Sequence, residues 1–231
     1  MRAPATSNTS PIVLAIDVGG SHVKIMSSAG GGERKAISGP KMDATAMVKA
    51  VEKLAAGLSY DVVAMGYPGP VVHNRVLVEP HNLAPGWVGF DFAGSLGKPT
   101  RIVNDALMQA IGSYQGGRML FLGLGTGLGA AMVVDNVAQP MELAHLPYRK
   151  GRTYEDYLGE ASLEKRGQGR WEKHVFDAVA RLMAALEPDY VVVGGGNAEK
   201  LKTLPTNVRL GDNANAFKGG FALWLDAALH V

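Results

Sequence analysis

Three glycine-rich turns are the features of the sequence with the clearest chemical meaning. The first, residues 17–21 (DVGGS), can present the backbone N–H groups around Gly19 and Gly20 to phosphate oxygens. The Ser21 hydroxyl adds a further donor, and Asp17 can hold a hydrated Mg²⁺ ion. An ordinary hairpin turn accounts for these residues equally well, so this segment alone leaves both interpretations open.

The second turn, residues 123–129 (GLGTGLG), is the stronger signal. It has four glycines in seven residues, although glycine weakens the interior of a β-strand. Backbone without side chains can approach a ligand closely. Phosphate binding by Gly125, Thr126 and Gly127 is therefore favoured over a flexible hairpin tip.

The third turn lies in residues 191–197 (VVVGGGN), where three glycines directly follow the short apolar segment 191–193. Its glycines, Gly195 and Gly196, can pass beneath an adenine ring. A simple connection from a strand to a helix explains the segment equally well, and both interpretations stay open.

A candidate catalytic carboxylate lies between the first two turns, in the pair Asn104–Asp105 after a short apolar strand. Asp105 can accept the proton of an attacking sugar hydroxyl, as a general base does. A plain helix N-cap is the alternative, because Asn and Asp are both preferred there. Together with the two glycine turns, the pair favours catalysis.

Three polar side chains after the second turn are candidates for hydrogen bonds to sugar hydroxyls. They are Glu142, His145 and Glu155. Their spacing alone is better explained by an exposed, charged surface. The chain has no cysteine, so His145 has no thiolate partners for a zinc site, and no zinc is expected.

Apolar runs and turn residues predict an α/β fold in which strands and helices position these groups. A hairpin around residues 73–74 is an alternative to a continuous strand over 71–80. Strands are predicted at 11–17, 22–27, 33–37, 61–66, 71–80, 101–103, 119–124, 129–134 and 190–193, and helices at 43–57, 106–114, 171–186 and 213–230. Because a strand, not a helix, follows the first glycine turn, the pattern argues against a dinucleotide-binding or P-loop fold.

Two segments share the order strand, glycine turn, strand: residues 12–25 and 119–134. Such a repeat indicates a duplicated unit. We expect the boundary between the two halves near residues 104–113, with a cleft between them.

Composition restricts the class of protein. The 231 residues are 47% hydrophobic and 19% charged, with a net charge of +2, which is typical of a globular protein and does not indicate a nucleic-acid partner. No segment approaches the roughly 20 apolar residues of a membrane span, so no membrane partner is expected. Residues 1–10 are predicted to be a disordered tail, and the lack of cysteine fits a cytoplasmic location.

The motifs stand in an order that resembles the ROK family of sugar kinases, and most closely its polyphosphate glucokinase branch. Residues 145–148 (HLPY), 152–159 (RTYEDYLG) and 211–217 (GDNANAF) extend the resemblance to that branch. It covers nearly the whole chain from Ile12 onward. Each motif is weak by itself, but their number and order are specific.

The resemblance implies a two-domain actin-like ATPase fold of the ribonuclease H-like/hexokinase type with an interdomain cleft. The expected domains are residues 11–104, joined by a C-terminal helix over 213–231, and residues 105–212. Asp105 resembles the catalytic base, and Asp17 the residue near Mg²⁺. The sugar-binding set comprises Asn82, Asn104, Glu142, His145 and Glu155. The phosphate and nucleotide set comprises Asp17, Gly19, Gly20, Ser21, Lys24, Gly125, Thr126, Gly127, Gly195 and Gly196.

The implied activity is phosphoryl transfer from ATP or polyphosphate, with Mg²⁺, to the 6-hydroxyl of glucose or mannose by a homodimer. A sugar sensor without catalysis, another hexose kinase and a nucleotide or polyphosphate hydrolase are the alternatives. The sequence departs from the family at Ser21, where Thr is usual, and at Ala144, where Gly is usual. The spans 75–97 and 134–142 are also shorter than in many relatives.

Overall fold

The computed structural model of the chain describes residues 10–231. All of the predicted tail except Ser10 therefore lies outside the described residues. The N-terminal half contains, in chain order, β1 (Val13–Val18), β2 (His22–Ser27), β3 (Arg34–Ile37), α1 (Ala44–Leu54), β4 (Val62–Tyr67), β5 (Val71–Val72), β6 (Arg75–Val76), α2 (Phe92–Leu96) and β7 (Thr100–Asn104).

The C-terminal half begins with a helix that follows β7 directly. It contains α3 (Asp105–Ser113), β8 (Arg118–Leu124), β9 (Leu128–Val134), β10 (Val137–Met141), β11 (Pro147–Arg149), β12 (Arg152–Thr153), α4 (Glu155–Leu158), α5 (Glu160–Arg166), α6 (Gln168–Leu186), β13 (Tyr190–Gly194), a 3₁₀ turn (Ala198–Lys200), β14 (Val208–Leu210) and α7 (Asn215–Leu225).

Two five-stranded sheets repeat one topology. The strand orders are β3-β2-β1-β4-β7 and β10-β9-β8-β13-β14. In each sheet the first three strands along the chain form an antiparallel meander, and two parallel strands follow. The duplicated unit predicted from the two glycine hairpins is thus present as two sheets of identical order.

Three apolar cores hold the layers together. One lies between the first sheet and α1 with α2, and another lies between the second sheet and α4–α6. The third fills the space between the sheets, where α3 packs against strands of both sheets and α7 packs against α3 and the first sheet. Because α3 contacts strands of both halves, it links the two sheets instead of belonging to one, and the domain limits proposed above stay a prediction.

Glycine permits the close crossing of α3 and α7 in this central layer. A Cβ atom on Gly112 would lie 1.9 Å from the carbonyl oxygen of Asn215, and one on Gly219 would lie 1.8 Å from that of Met108. No side chain fits at these distances, so the two helices can touch backbone to backbone only with glycine at both positions.

Several short elements differ from the sequence prediction. Strands β10 and β14 and helix α2 were not predicted, because each is short and the strands lie at sheet edges. The C-terminal helix is shorter than the predicted 213–230 or 213–231: it ends at Leu225. The chain then turns back, and His230 pairs with Val137 at the start of β10. None of the helices in residues 10–231 has the length and apolar composition needed to cross a membrane.

Candidate active site

The first glycine turn joins β1 to β2 and is held in place by its neighbours. The Gly19 N–H donates to the His22 carbonyl at 2.9 Å, and the Ser38 hydroxyl donates to the Gly19 carbonyl at 2.6 Å. A Cβ on Gly20 would lie 3.0 Å from the Cβ of Asn82. The turn therefore lies beside Asn82, which the sequence assigned to the sugar side, and Ser38 is a supporting residue that the sequence analysis missed.

Asn104 and Asp105 have different roles at the start of α3. The Asn104 side chain caps the helix, accepting from the Leu107 N–H at 3.1 Å, and its Nδ2 donates to the Gly69 carbonyl at 3.2 Å. The Asp105 carboxylate accepts from the neighbouring Ala106 N–H, at 2.7 Å, and does not cap the helix. The cap interpretation of this pair thus applies to Asn104, and the catalytic role of Asp105 stays a prediction.

The start of α3 is the point where both sheets converge. A Cβ on Gly66, in β4, would lie 3.4 Å from the Asp105 Cα, and one on Gly129, in β9, would lie 2.7 Å from the Ala106 Cβ. Glycine at these positions lets one strand from each sheet approach the helix terminus. The start of α3 is thereby placed between β4 of the first sheet and the second glycine-rich hairpin.

Electrostatics make Asp105 an unusual carboxylate. Burial, followed by the negative charge of Asp17, raises its pKa to about 7, and Glu142 contributes in the same direction. Burial also raises the pKa of Asp17, while Lys24, directly opposite on β2, lowers it. A carboxylic acid with a pKa near 7 is suited to accept and release a proton at neutral pH.

The second glycine turn is braced by the segment that carries Glu155. The Leu128 N–H donates to Glu155 Oε2 at 3.1 Å, and a Cβ on Gly127 would lie 2.2 Å from the same oxygen. The Glu160 N–H donates to the carbonyls of Gly125 and Thr126. Glu155, assigned to the sugar side, is therefore in direct contact with the predicted phosphate loop.

The third glycine turn packs against the second. Gly195 has φ of +83°, and a Cβ there would lie 2.5 Å from the Leu124 carbonyl oxygen. Glycine is required at this position for both reasons. The turn is thereby fixed beside the predicted phosphate loop, and Gly196 is exposed next to it.

Asn197 fastens these two turns together and was not singled out by the sequence analysis. Its side chain is only 4% exposed. Its backbone N–H donates to the Leu124 carbonyl at 2.9 Å, and its Nδ2 donates to the Gly125 carbonyl at 3.1 Å. The Lys200 ammonium donates to its Oδ1 at 2.7 Å. The only sequence signal is an amide side chain directly after three glycines.

Glu142 and His145 are both exposed and lie in the segment between β10 and β11. The residues between them, Leu143 and Ala144, are buried, and the Ala144 carbonyl accepts from the Glu155 N–H at 3.0 Å. This contact brings the segment to the start of α4, beside the second glycine turn. Of the two side chains, Glu142 is the one whose charge affects Asp105.

The carboxylates of the cleft fit a hydrated divalent cation. The negative charge of Asp17 raises the pKa of Asp105, and a cation near the two carboxylates would offset that repulsion. Within residues 10–231, no group of three or more acidic or histidine side chains is arranged to hold a metal alone. Mg²⁺ keeps several waters and binds through one or two carboxylates together with substrate phosphates, and Asp17 and Asp105 are the carboxylates that would do so here.

Comparison with known proteins agrees with this architecture. The model of the ROK family matches residues 13–140, and the chain belongs to this family. The polyphosphate/ATP-glucomannokinase of Arthrobacter sp. strain KM has 22% identity and a TM-score of 0.79, with 93% of this chain and 98% of that chain covered. The chain therefore has the two-domain actin-like ATPase fold that the sequence predicted. None of the curated proteins matches the chain.

Two further structures of the family show how widely this fold is used. The ROK glucokinase of Streptomyces griseus, in complex with glucose and AMPPNP, has 16% identity and a TM-score of 0.74, covering 92% of this chain and 99% of that one. A ROK transcriptional regulator, a homologue of the E. coli MLC protein, has 15% identity and a TM-score of 0.69, covering 94% and 78%. Kinases and a regulator thus share the fold.

Proposed function

We propose that the protein is a sugar kinase that transfers a phosphoryl group from polyphosphate or ATP to the 6-hydroxyl of a glucose-like hexose. The observation that carries this proposal is the position of Asp105, at the start of α3 between β4 and the second glycine-rich hairpin and with a pKa raised to about 7. Membership of the ROK family supports the same class of reaction.

In the proposed reaction, Asp105 accepts the proton of the sugar 6-hydroxyl while O6 attacks the terminal phosphorus of the donor. The O6–P bond forms as the bond from that phosphorus to the bridging oxygen breaks, and ADP or a shortened polyphosphate leaves. The phosphate oxygens are held by backbone N–H groups of the first two glycine turns other than those of Gly19, Gly125 and Leu128, which already donate to protein acceptors. Mg²⁺, when bound near Asp17, neutralises the charge of the phosphates.

The acceptor is held on the other side of Asp105 in this proposal. Asn82, Glu142, His145 and Glu155 supply hydrogen bonds to the sugar hydroxyls, and Asn104 fixes the start of α3. Because Glu155 also accepts a hydrogen bond from the Leu128 N–H in the second turn, the same side chain would contact both the sugar and the phosphate loop. Closure around the sugar would exclude water, the competing acceptor.

A sugar-responsive protein without catalysis is the second candidate, because a ROK transcriptional regulator shares the fold. It requires the sugar-side residues but not a proton acceptor. The raised pKa of Asp105 and the two glycine turns support the kinase over this alternative.

Formation of hexose 6-phosphate by the purified protein tests the proposal. The assay contains Mg²⁺ and compares ATP with polyphosphate as donors, and glucose with mannose as acceptors. Sugar phosphate formed from either donor is the expected result. Sugar binding without product would favour the sensor, and release of phosphate without any sugar would indicate a hydrolase.

A further inference from the structure

A cavity of about 230 Å³ lies between the end of α3, strand β14 and the start of α7. None of the predicted site residues lines it. Its walls are formed largely by polar groups and backbone, including Ser113, Tyr114, Arg209, Asp212, Asn215 and Lys218.

Arg209 contributes a positively charged guanidinium to the lining of this cavity. Its Nη2 donates to the Ser113 carbonyl at 2.6 Å, and its guanidinium carbon lies 4.8 Å from the centre of the Tyr190 ring. Its Nε is buried and, among the side chains of residues 10–231, is the one buried nitrogen or oxygen without a hydrogen-bond partner. A buried donor of this kind is costly to leave unpaired, and the same guanidinium belongs to a residue that lines the cavity.

Lys218 adds a second cation. Its ammonium group donates to Asn215 Oδ1 at 3.0 Å and has two further protons to offer. The one carboxylate in the lining, Asp212, already accepts from the Ala214 N–H through Oδ1. The lining therefore carries two positive charges and one negative charge, which favours an anion with a hydroxyl or other donor close by.

We propose that this cavity binds a small phosphate-bearing anion, through the guanidinium of Arg209 and the ammonium of Lys218. A guanidinium is a planar fork of donors that matches phosphate oxygens. The volume is below the roughly 300–1,000 Å³ of pockets for drug-sized ligands. It suits inorganic phosphate or a sugar monophosphate better than a nucleotide. This inference does not depend on the proposed kinase activity.

Helix α3 connects this cavity to the candidate active site. Ser113, whose carbonyl is bonded to Arg209, is the last residue of α3, and Asp105 is the first. Gly112 lies against the first residue of α7. An anion that draws Arg209 and Lys218 together therefore acts on the helix that carries the candidate base.

The Nε–H resonance of Arg209 in a ¹H–¹⁵N correlation spectrum of the full chain tests the proposal. Inorganic phosphate and glucose 6-phosphate are titrated separately, and Arg209→Lys assigns the resonance by removing it. We expect a saturable shift of this resonance. A response to both anions shows that phosphate alone suffices, whereas a response only to glucose 6-phosphate shows that the sugar is needed.

Lys218→Met is the decisive variant, because Lys218 is exposed and its loss should not unfold the protein. We expect the affinity measured at Arg209 to fall about tenfold or more. Lys202→Met, an exposed lysine outside the cavity, is the matched control and should leave it unchanged. If Lys218→Met does not fold, Lys218→Gln replaces it. An unmoved Arg209 resonance, or a shift unaffected by the loss of Lys218, overturns the proposal.

Discussion

At the scale of single residues, the surroundings decide which carboxylate can act as a base. The sequence located both members of the Asn104–Asp105 pair but not the division of labour between them. That division depends on Asn104 capping α3 and on Asp17 lying near Asp105 across the fold. The cap is local and was one of the two interpretations of the sequence, whereas the position of Asp17 could not be read from the spacing, because it depends on how β1 and β7 are placed in one sheet.

The raised pKa of Asp105 predicts the pH dependence of activity. The carboxylate is the form that accepts a proton, so kcat/KM for the hexose should fall about tenfold per pH unit below about pH 7. Asp17→Asn removes the second-largest cause of the shift and should move this limb to lower pH, although the activity itself falls. Steady-state rates between pH 5 and 9 check both points. A limb that stays in place in Asp17→Asn would argue against this origin of the pKa.

The same group predicts how stability depends on pH. The folded pKa, about 7, lies above the ordinary value of 3.8, so between these pH values the folded state binds more protons than the unfolded state. The contribution of Asp105 to the free energy of unfolding is therefore complete below about pH 4 and is lost as the pH rises through 7. Urea unfolding at pH 5 and 7.5 should show a smaller loss in Asp105→Asn than in the parent protein. An equal loss in both would contradict the raised pKa.

At the scale of elements, each glycine turn is fixed by contacts with another segment of the chain. The turns themselves could be predicted because glycine between apolar runs has few explanations. The residues that hold the turns could not be predicted as such. Ser38, Glu155 and Asn197 contact the turns from segments that are distant in sequence or lack a motif. The edge strands β10 and β14 were missed because their own sequence signals are weak. Strand β10 contains Pro140 and exposed residues, and β14 has only three residues.

Asn197 predicts a selective effect on the donor. In Asn197→Asp the carboxylate keeps its contact with Lys200, but it can no longer donate to the Gly125 carbonyl and repels it. We expect KM for the phosphoryl donor to rise about tenfold, with KM for the hexose within about twofold. Lys200→Met, which leaves the bond to Gly125 intact, is the control and should have a small effect. An equal change in both KM values would show that Asn197 supports the fold in general and not this loop.

At the scale of the whole molecule, the crossing of α3 and α7 joins the two sheets through backbone contacts. The duplicated topology could be predicted from two similar hairpins. This crossing could not, because Gly112 and Gly219 are more than 100 residues apart and each is an unremarkable helix residue in the sequence. Domain closure in the proposed reaction would have to occur around this rigid contact.

Gly219→Ala should destabilise the protein strongly, because its Cβ would lie 1.8 Å from the Met108 carbonyl oxygen. We expect a loss of about 1–3 kcal/mol or more in the free energy of unfolding, as for other overpacked interiors. Gly169→Ala is the control: Gly169 is exposed in α6 and no heavy atom lies within 4 Å of its added Cβ. That variant should be unchanged or gain up to about 1 kcal/mol. Similar urea midpoints for the two variants would show that the crossing is looser than described.

The most direct test of the account is the turnover of Asp105→Asn in the hexose 6-phosphate assay, together with the affinity of the variant for glucose. Asp43→Asn, which preserves the cap of α1, is the matched control. The account predicts that kcat falls by roughly 10²–10⁴ in Asp105→Asn while glucose binding stays within about threefold, and that the control keeps full activity. An Asp105→Asn variant that turns over at nearly the parent rate would contradict it.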